Sequence, residues 1–145
     1  MKARYFLAGL FILIATVFGI LFFFDIEFPK GIKPYFKKEY YGQFGPLVIS
    51  IELLTAGIYL WIKHSKTNFV MGVFAFTALL DPIFNLTGLF TSQVPLYATI
   101  TFVLCGIAAL IIAFTNAFEL GKISWKAAFG SFLTGTAVEL FFNYL

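Results

Sequence analysis

The sequence has few charged residues and almost none of the side chains that bind metals. Charged residues make up 12% of the 145 positions, and the chain contains one cysteine and one histidine. A single cysteine excludes an intrachain disulfide and a CxxC redox pair, and a single histidine excludes a multi-histidine zinc site or a bis-histidine haem within one chain. The sequence therefore predicts neither a metal site nor a cofactor, and we assign no catalytic residue.

A basic surface of the kind that binds nucleic acid is also missing. The net charge is +3, from 10 Lys and Arg against 7 Asp and Glu, and these cations lie at the edges of apolar runs. They form no basic face with interleaved aromatic residues, which is the pattern that indicates nucleic-acid binding. We expect no nucleic-acid partner.

Apolar residues, by contrast, are abundant. They make up 61% of the chain, and the mean hydropathy is +0.94. Soluble domains average about 45–50% apolar residues, and a soluble domain of this size cannot bury so much apolar surface. The composition predicts an integral membrane protein whose first partner is the lipid bilayer.

Five apolar runs divide the chain into segments of membrane-spanning length. They cover residues 5–24, 46–62, 69–90, 94–118 and 127–145. A helix needs about 20 residues to cross a hydrocarbon layer of about 30 Å, and helices satisfy their own backbone hydrogen bonds in lipid. We predict an all-α, polytopic helical bundle over 1–145, a single membrane domain with five transmembrane helices, or four if the short second run does not span.

The cations predict how the bundle is oriented. An N-terminus in the cytoplasm places six of them on the cytoplasmic side and four on the opposite side, where acidic residues dilute them. The six are Lys2, Arg4, Lys63, Lys66, Lys122 and Lys126. The positive-inside rule then favours a cytoplasmic N-terminus and a C-terminus outside.

The segment 25–45 is the one long connection, and it alternates tyrosines with lysines. Its interfacial candidates are Lys33, Tyr35, Lys37, Lys38, Tyr40 and Tyr41. Aromatic and basic residues of this kind form collars at the level of the lipid headgroups. A docking surface for headgroups or for a partner protein is the alternative interpretation.

Three acidic residues lie inside apolar runs, and they carry most of the functional information. Under the orientation above, Glu52, Asp81 and Glu139 fall in one layer about 2–5 Å from the bilayer centre, and no Lys or Arg of the sequence falls at that depth. Each charged residue facing lipid there would cost about 2.5–3.5 kcal/mol. We therefore expect the three carboxyls to face the bundle interior or a subunit contact, as protonated acids or proton-sharing pairs.

Each acid has polar neighbours at helical spacing. Thr77, Asp81 and Asn85 recur every four residues, as do Gly135, Glu139 and Asn143, and both sets contain the pattern acid-x-x-Phe-Asn. Pro82 removes the N–H that would pair with the carbonyl of residue 78, which predicts a kink. The candidate ion- or proton-binding residues are Asp81, Glu139, Glu52, Asn85, Asn143 and Thr77.

Three functions fit this pattern. The leading expectation is a non-catalytic subunit or scaffold of a larger membrane assembly, with other membrane chains or further copies of itself as partners. The alternative is a proton- or cation-linked permease or channel component that uses the carboxyls, because intramembrane ionisable residues mark functional sites. A lipid-active enzyme with two of the carboxyls as general acid and base is the second alternative, and an enzyme is the less expected outcome.

Overall fold

The computed structural model describes residues 2–28, 30–37, 40, 43–89, 92 and 94–143, with the backbone alone at Asn143. Within these residues the chain forms five α-helices and no strand. The helices are α1 (Lys2–Phe24), α2 (Gly45–Ile62), α3 (Thr67–Leu86), α4 (Leu96–Phe114) and α5 (Trp125–Asn143), and a single 3-10 turn (Lys33–Phe36) lies between α1 and α2. The all-helical prediction is confirmed.

Four of the helices, α1 to α4, are long and apolar enough to cross a membrane. The short second run is among them, and its helix begins at Gly45-Pro46, where a proline occupies the first turn without losing a hydrogen bond. The fifth helix, α5, has 19 residues but is not among these four. Its Thr, Ser, Glu and Lys side chains lower its hydropathy, so the count of five spans is not confirmed.

The helices α3 and α4 each end four residues before the predicted end. The helix α3 begins at Thr67 and ends at Leu86, whereas the apolar run continues to residue 90. The helix α4 ends at Phe114 because Thr115 is extended, and the Asn116 side chain then accepts a hydrogen bond from the Gly121 N–H at 2.9 Å. Hydropathy alone does not detect such ends, because the residues beyond them are still apolar.

The helices α1 to α4 enclose one apolar core. Three aromatic rings meet at its centre, with Phe74 of α3 at 6.4 Å from both Phe11 of α1 and Phe102 of α4. The close approach of α1 and α2 depends on Gly57, where an added Cβ would lie 2.9 Å from Ile12 and 3.2 Å from the Ala8 carbonyl. In the described part of the chain, α5 adds no residue to this apolar core.

The helix α5 packs on the outer side of α3 and runs in the same direction. Two close contacts between small residues set the alignment of α5 along α3: Gly72 lies against Ser131, and Thr77 lies against Gly135. A Cβ at Gly135 would lie 3.0 Å from the Thr77 nitrogen, so the two backbones approach as closely as a glycine allows. One turn further along, this alignment brings residues 81 and 139 side by side.

Candidate functional site

The three acids of the apolar runs converge at the junction of α2, α3 and α5. We name the group that surrounds them the carboxyl cluster, made of Glu52, Thr77, Asp81, Ser92 and Glu139. Asp81 and Glu139 are each 2% exposed and Thr77 is fully buried. These three side chains therefore lie inside the protein, while Glu52 and Ser92 are half-buried.

Asp81 and Glu139 form its centre. Their side chains lie within hydrogen-bonding reach of each other, and the Glu52 carboxyl lies close enough to act on Glu139 electrostatically. Two carboxyl groups can form a hydrogen bond only when one of them keeps its proton, since two ionised carboxylates have no donor and repel each other. A proton shared between them would satisfy this contact.

Glu52 joins the cluster through Thr77. The Thr77 hydroxyl lies 2.8 Å from the Val73 carbonyl and 3.3 Å from Glu52 Oε1. The Thr77 hydroxyl has one proton, which it shares between these two acceptors. The other oxygen, Glu52 Oε2, is buried without a hydrogen-bond partner in the described structure.

Ser92, which lies between α3 and α4, contacts Asp81. The Ser92 hydroxyl donates to Asp81 Oδ2 at 2.5 Å, and the Ser92 N–H donates to Asn85 Oδ1 at 2.9 Å. The Val94 N–H in turn donates to the Ser92 hydroxyl at 3.1 Å. Sequence reasoning missed Ser92, since nothing in the residue pattern separates it from any other serine in a loop.

The predicted candidates are therefore only partly brought together. Asn85 is exposed and contacts the cluster through Ser92, and the side chain of Asn143 lies outside the described residues. Pro82 lies inside α3, which remains α-helical on both sides of it. Among the described residues, no group of three or more His, Cys, Asp or Glu is arranged to hold a metal ion.

The carboxyls occupy two depths, which differs from the single layer expected. Measured from the middle of each helix, Asp81 and Glu139 lie about 7 Å toward the same end, while Glu52 lies about 2 Å from the middle. The midpoint of α3 is three residues earlier than in the predicted run, which accounts for the larger offset of Asp81. The carboxyl pair is therefore nearer to the end where Ser92 lies, and Glu52 is deeper.

The predicted interfacial residues lie around the 3-10 turn. Lys33 and Lys37 are exposed, and Tyr35 and Tyr40 are half-buried with their rings 4.9 Å apart and edge to face. The ends of the segment are joined where Glu27 and Gln43 exchange two hydrogen bonds of 2.9 Å. Lys38 and Tyr41 lie outside the described residues.

The Arg4 contact was not predicted from the sequence. Its Nη1 donates to the carbonyls of Leu60 and Trp61 at 2.6 and 2.7 Å, where α2 ends and its last carbonyls have no helical donor. Arg4 therefore acts as a C-terminal cap for another helix. Its position in the first turn of an apolar helix could have indicated this contact, but in the sequence analysis Arg4 served only to predict which side of the membrane holds the N-terminus.

Comparison with known proteins adds no relative. No protein-family model, no curated protein and no solved structure matches the chain. The function of the protein is therefore inferred from the geometry of the carboxyl cluster.

Proposed function

We propose that this protein is a proton-linked permease or channel component that binds its proton at the Asp81–Glu139 pair. The observation that supports the proposal is that these two carboxyls lie within hydrogen-bonding reach of each other. Acid groups buried in a membrane bundle are typical of proton relays, and a pair that shares one proton can accept a second or release the first.

The surrounding residues give this pair two neighbours along which a proton can move. Toward the end of the bundle, the Ser92 hydroxyl contacts Asp81, and Ser92 is itself half-buried. On the deeper side, Thr77 leads to Glu52. We assign Asp81 and Glu139 as the proton-binding pair, Glu52 as a deeper relay acid, and Thr77 and Ser92 as hydroxyl links.

Proton flux into vesicles tests this function. We expect liposomes that contain the wild-type protein to acidify internally when a proton gradient is imposed, and Asp81→Asn and Glu139→Gln to reduce the rate strongly. Glu27→Gln is the matched control, because Glu27 is an exposed acid in the interfacial segment whose backbone alone makes the Gln43 contact. Wild-type flux no greater than that of empty liposomes, or unchanged flux in both variants, would refute the proposal.

We further propose that α5 spans the membrane as a fifth helix, with the N-terminus in the cytoplasm and the C-terminus outside. Its 19 residues measure about 28 Å, and it runs beside α3 in the same direction. Single-cysteine variants at two exposed lysines, Lys66→Cys and Lys33→Cys in a Cys105→Ala background, test the orientation with a membrane-impermeant maleimide. In intact cells we expect labelling at position 33 and protection at position 66, and the reverse result would contradict this orientation.

A second candidate function is the non-catalytic subunit of a larger assembly, and the outer face of α5 favours it. This helix is less apolar than the four membrane-length helices, yet Phe129, Leu133 and Phe141 on it are exposed. A helix with such a face is suited to pack against a helix of another chain or of a second copy. Purification in a gentle detergent tests this candidate, since a stable monomer with no accompanying chain would exclude it.

A further inference from the structure

A second polar site lies at the opposite end of the bundle, where α1 begins. A cavity of about 270 Å³ is lined by Arg4, Lys63, Ala117, Phe118 and Glu119. One water needs about 10–15 Å³ of volume measured with a water-sized probe, so the cavity has room for a ligand group of several non-hydrogen atoms. It combines two cationic side chains with one anionic side chain, from α1, the end of α2 and the α4–α5 connection.

Arg4 is held rigidly at this cavity. It is 6% exposed, and both of its hydrogen bonds to α2 use Nη1. The donors on Nε and Nη2 remain for a ligand, and a fixed planar guanidinium is well suited to bind phosphate oxygens. The protein thus provides a preorganised anion-binding group.

The backbone at Lys63 and Glu119 is the second, independent observation. These are the two non-glycine residues with positive φ in the described part of the chain, at 53° and 58°, and both line this cavity. At Lys63 this conformation ends α2, where the Lys63 N–H caps the Leu60 and Tyr59 carbonyls. At Glu119 it lies outside any helix, where glycine or asparagine is favoured and other residues are strained. The α4–α5 connection is held in place by Asn68, which donates to the Gly121 carbonyl at 2.9 Å.

Aromatic residues of the type found at the level of lipid headgroups lie at the same end of the bundle as the cavity. Tyr5 and Trp61 pack edge to face at 4.9 Å and Trp125 is 89% exposed, all at this end of the bundle, and such aromatic residues mark the membrane interface. An apolar groove of about 360 Å³ between α1 and α2 is lined by Trp61 and Ile62, which directly precede Lys63. The groove and the charged cavity are thus lined by consecutive residues of the chain, at the same end of the bundle.

We propose that this cavity binds a phospholipid whose headgroup carries both a phosphate and a primary ammonium group, as phosphatidylethanolamine does. Arg4 and Lys63 contact the phosphate, Glu119 accepts hydrogen bonds from the ammonium group, and an acyl chain lies in the adjacent groove. This site is separate from the carboxyl cluster and does not depend on proton binding there.

Lipid retention by the purified full-length protein tests the proposal. Native mass spectrometry is performed after equal exposure to phosphatidylethanolamine, phosphatidylglycerol, which lacks the ammonium group, and phosphatidylcholine, whose ammonium group has no N–H donor. We expect about tenfold preference for phosphatidylethanolamine, the factor that corresponds to about 1.4 kcal/mol. Equal retention of the three lipids would overturn the proposal.

Two variants test the contact with the ammonium group and the contact with the phosphate separately. Glu119→Asn and Lys63→Asn keep a residue that tolerates positive φ, so we expect each variant to unfold at the wild-type temperature or above it. Glu119→Asn should lose the preference for phosphatidylethanolamine over phosphatidylglycerol, and Lys63→Asn should weaken the binding of both. Lys66→Asn, at an exposed lysine with a φ of −98° that does not line the cavity, is the matched control.

Competition with soluble compounds distinguishes a lipid from a free anion. Phosphoethanolamine should displace the lipid only at much higher concentration, because it lacks the acyl chain, and inorganic phosphate should displace even less. Displacement by inorganic phosphate at the same concentration as the lipid would instead indicate a free-phosphate site. That result, or unchanged retention in both asparagine variants, would contradict the proposal.

Discussion

Replacing Gly135 by alanine tests the close packing that holds the carboxyl pair together. A Cβ at this position would lie 3.0 Å from the Phe76 Cβ and the Thr77 nitrogen, and 3.1 Å from Thr77 Oγ1. Two of these three contacts involve backbone or Cβ atoms, which cannot rotate away, so α5 must move away from α3. Overpacking of this kind costs about 1–3 kcal/mol, while replacing a helical glycine by alanine returns about 0.5–1 kcal/mol.

We therefore expect Gly135→Ala to lower the free energy of unfolding by about 1–2 kcal/mol. Equilibrium unfolding in mixed micelles with increasing dodecyl sulfate measures this difference. Gly130→Ala is the matched control on the same helix, because its Cβ would lie 3.6 Å from the Phe69 ring, an ordinary contact. If the two variants unfold at the same point, the reasoning about close approach at residue 135 is refuted.

Two further substitutions test neighbouring contacts by the same measurement. Thr77→Val removes the hydrogen-bond partner of the Glu52 carboxyl and should lower the free energy of unfolding by about 1 kcal/mol. Its control is Thr134→Val, at an exposed threonine bonded to its own helix, which should change the free energy of unfolding by less than about 0.5 kcal/mol. Equal effects of the two substitutions would show that the Glu52 contact is not stabilising. Gly57→Ala should cost about 1–3 kcal/mol, because its Cβ would lie 2.9 Å from Ile12, whereas Gly19→Ala, with its nearest neighbour at 3.9 Å, should be tolerated. A tolerated Gly57→Ala would mean that α1 and α2 can separate without loss.

The helices could be predicted from the sequence because the free energy of moving an apolar side chain into lipid depends on the type of that residue. It can therefore be summed along a run without knowledge of the fold. The short run at 46–62 is one example, since the structure has a helix over Gly45–Ile62. The same reasoning could not settle α5, whose polar side chains lower its hydropathy. Its packing against α3 is a tertiary contact, which no local sum of hydropathies contains.

The candidate site could be predicted in outline only. Three acids in apolar runs had to face inward, and the shared pattern acid-x-x-Phe-Asn falls on two helices that run in the same direction and bring Asp81 beside Glu139. The contribution of Ser92 could not be predicted, because its contact with Asp81 is a tertiary contact made by a residue outside the helices. The different depth of Glu52 likewise follows from helix ends that are set by capping and loop contacts.

Infrared spectroscopy of the reconstituted protein tests most directly whether Asp81 and Glu139 share a proton, because protonated carboxyls absorb apart from carboxylates. At neutral pH we expect a protonated-carboxyl band in the wild type, shifted by exchange into D₂O, which Asp81→Asn and Glu139→Gln each change while Glu27→Gln does not. The absence of this band in the wild type, or a band that neither variant alters, would contradict the proton-sharing pair.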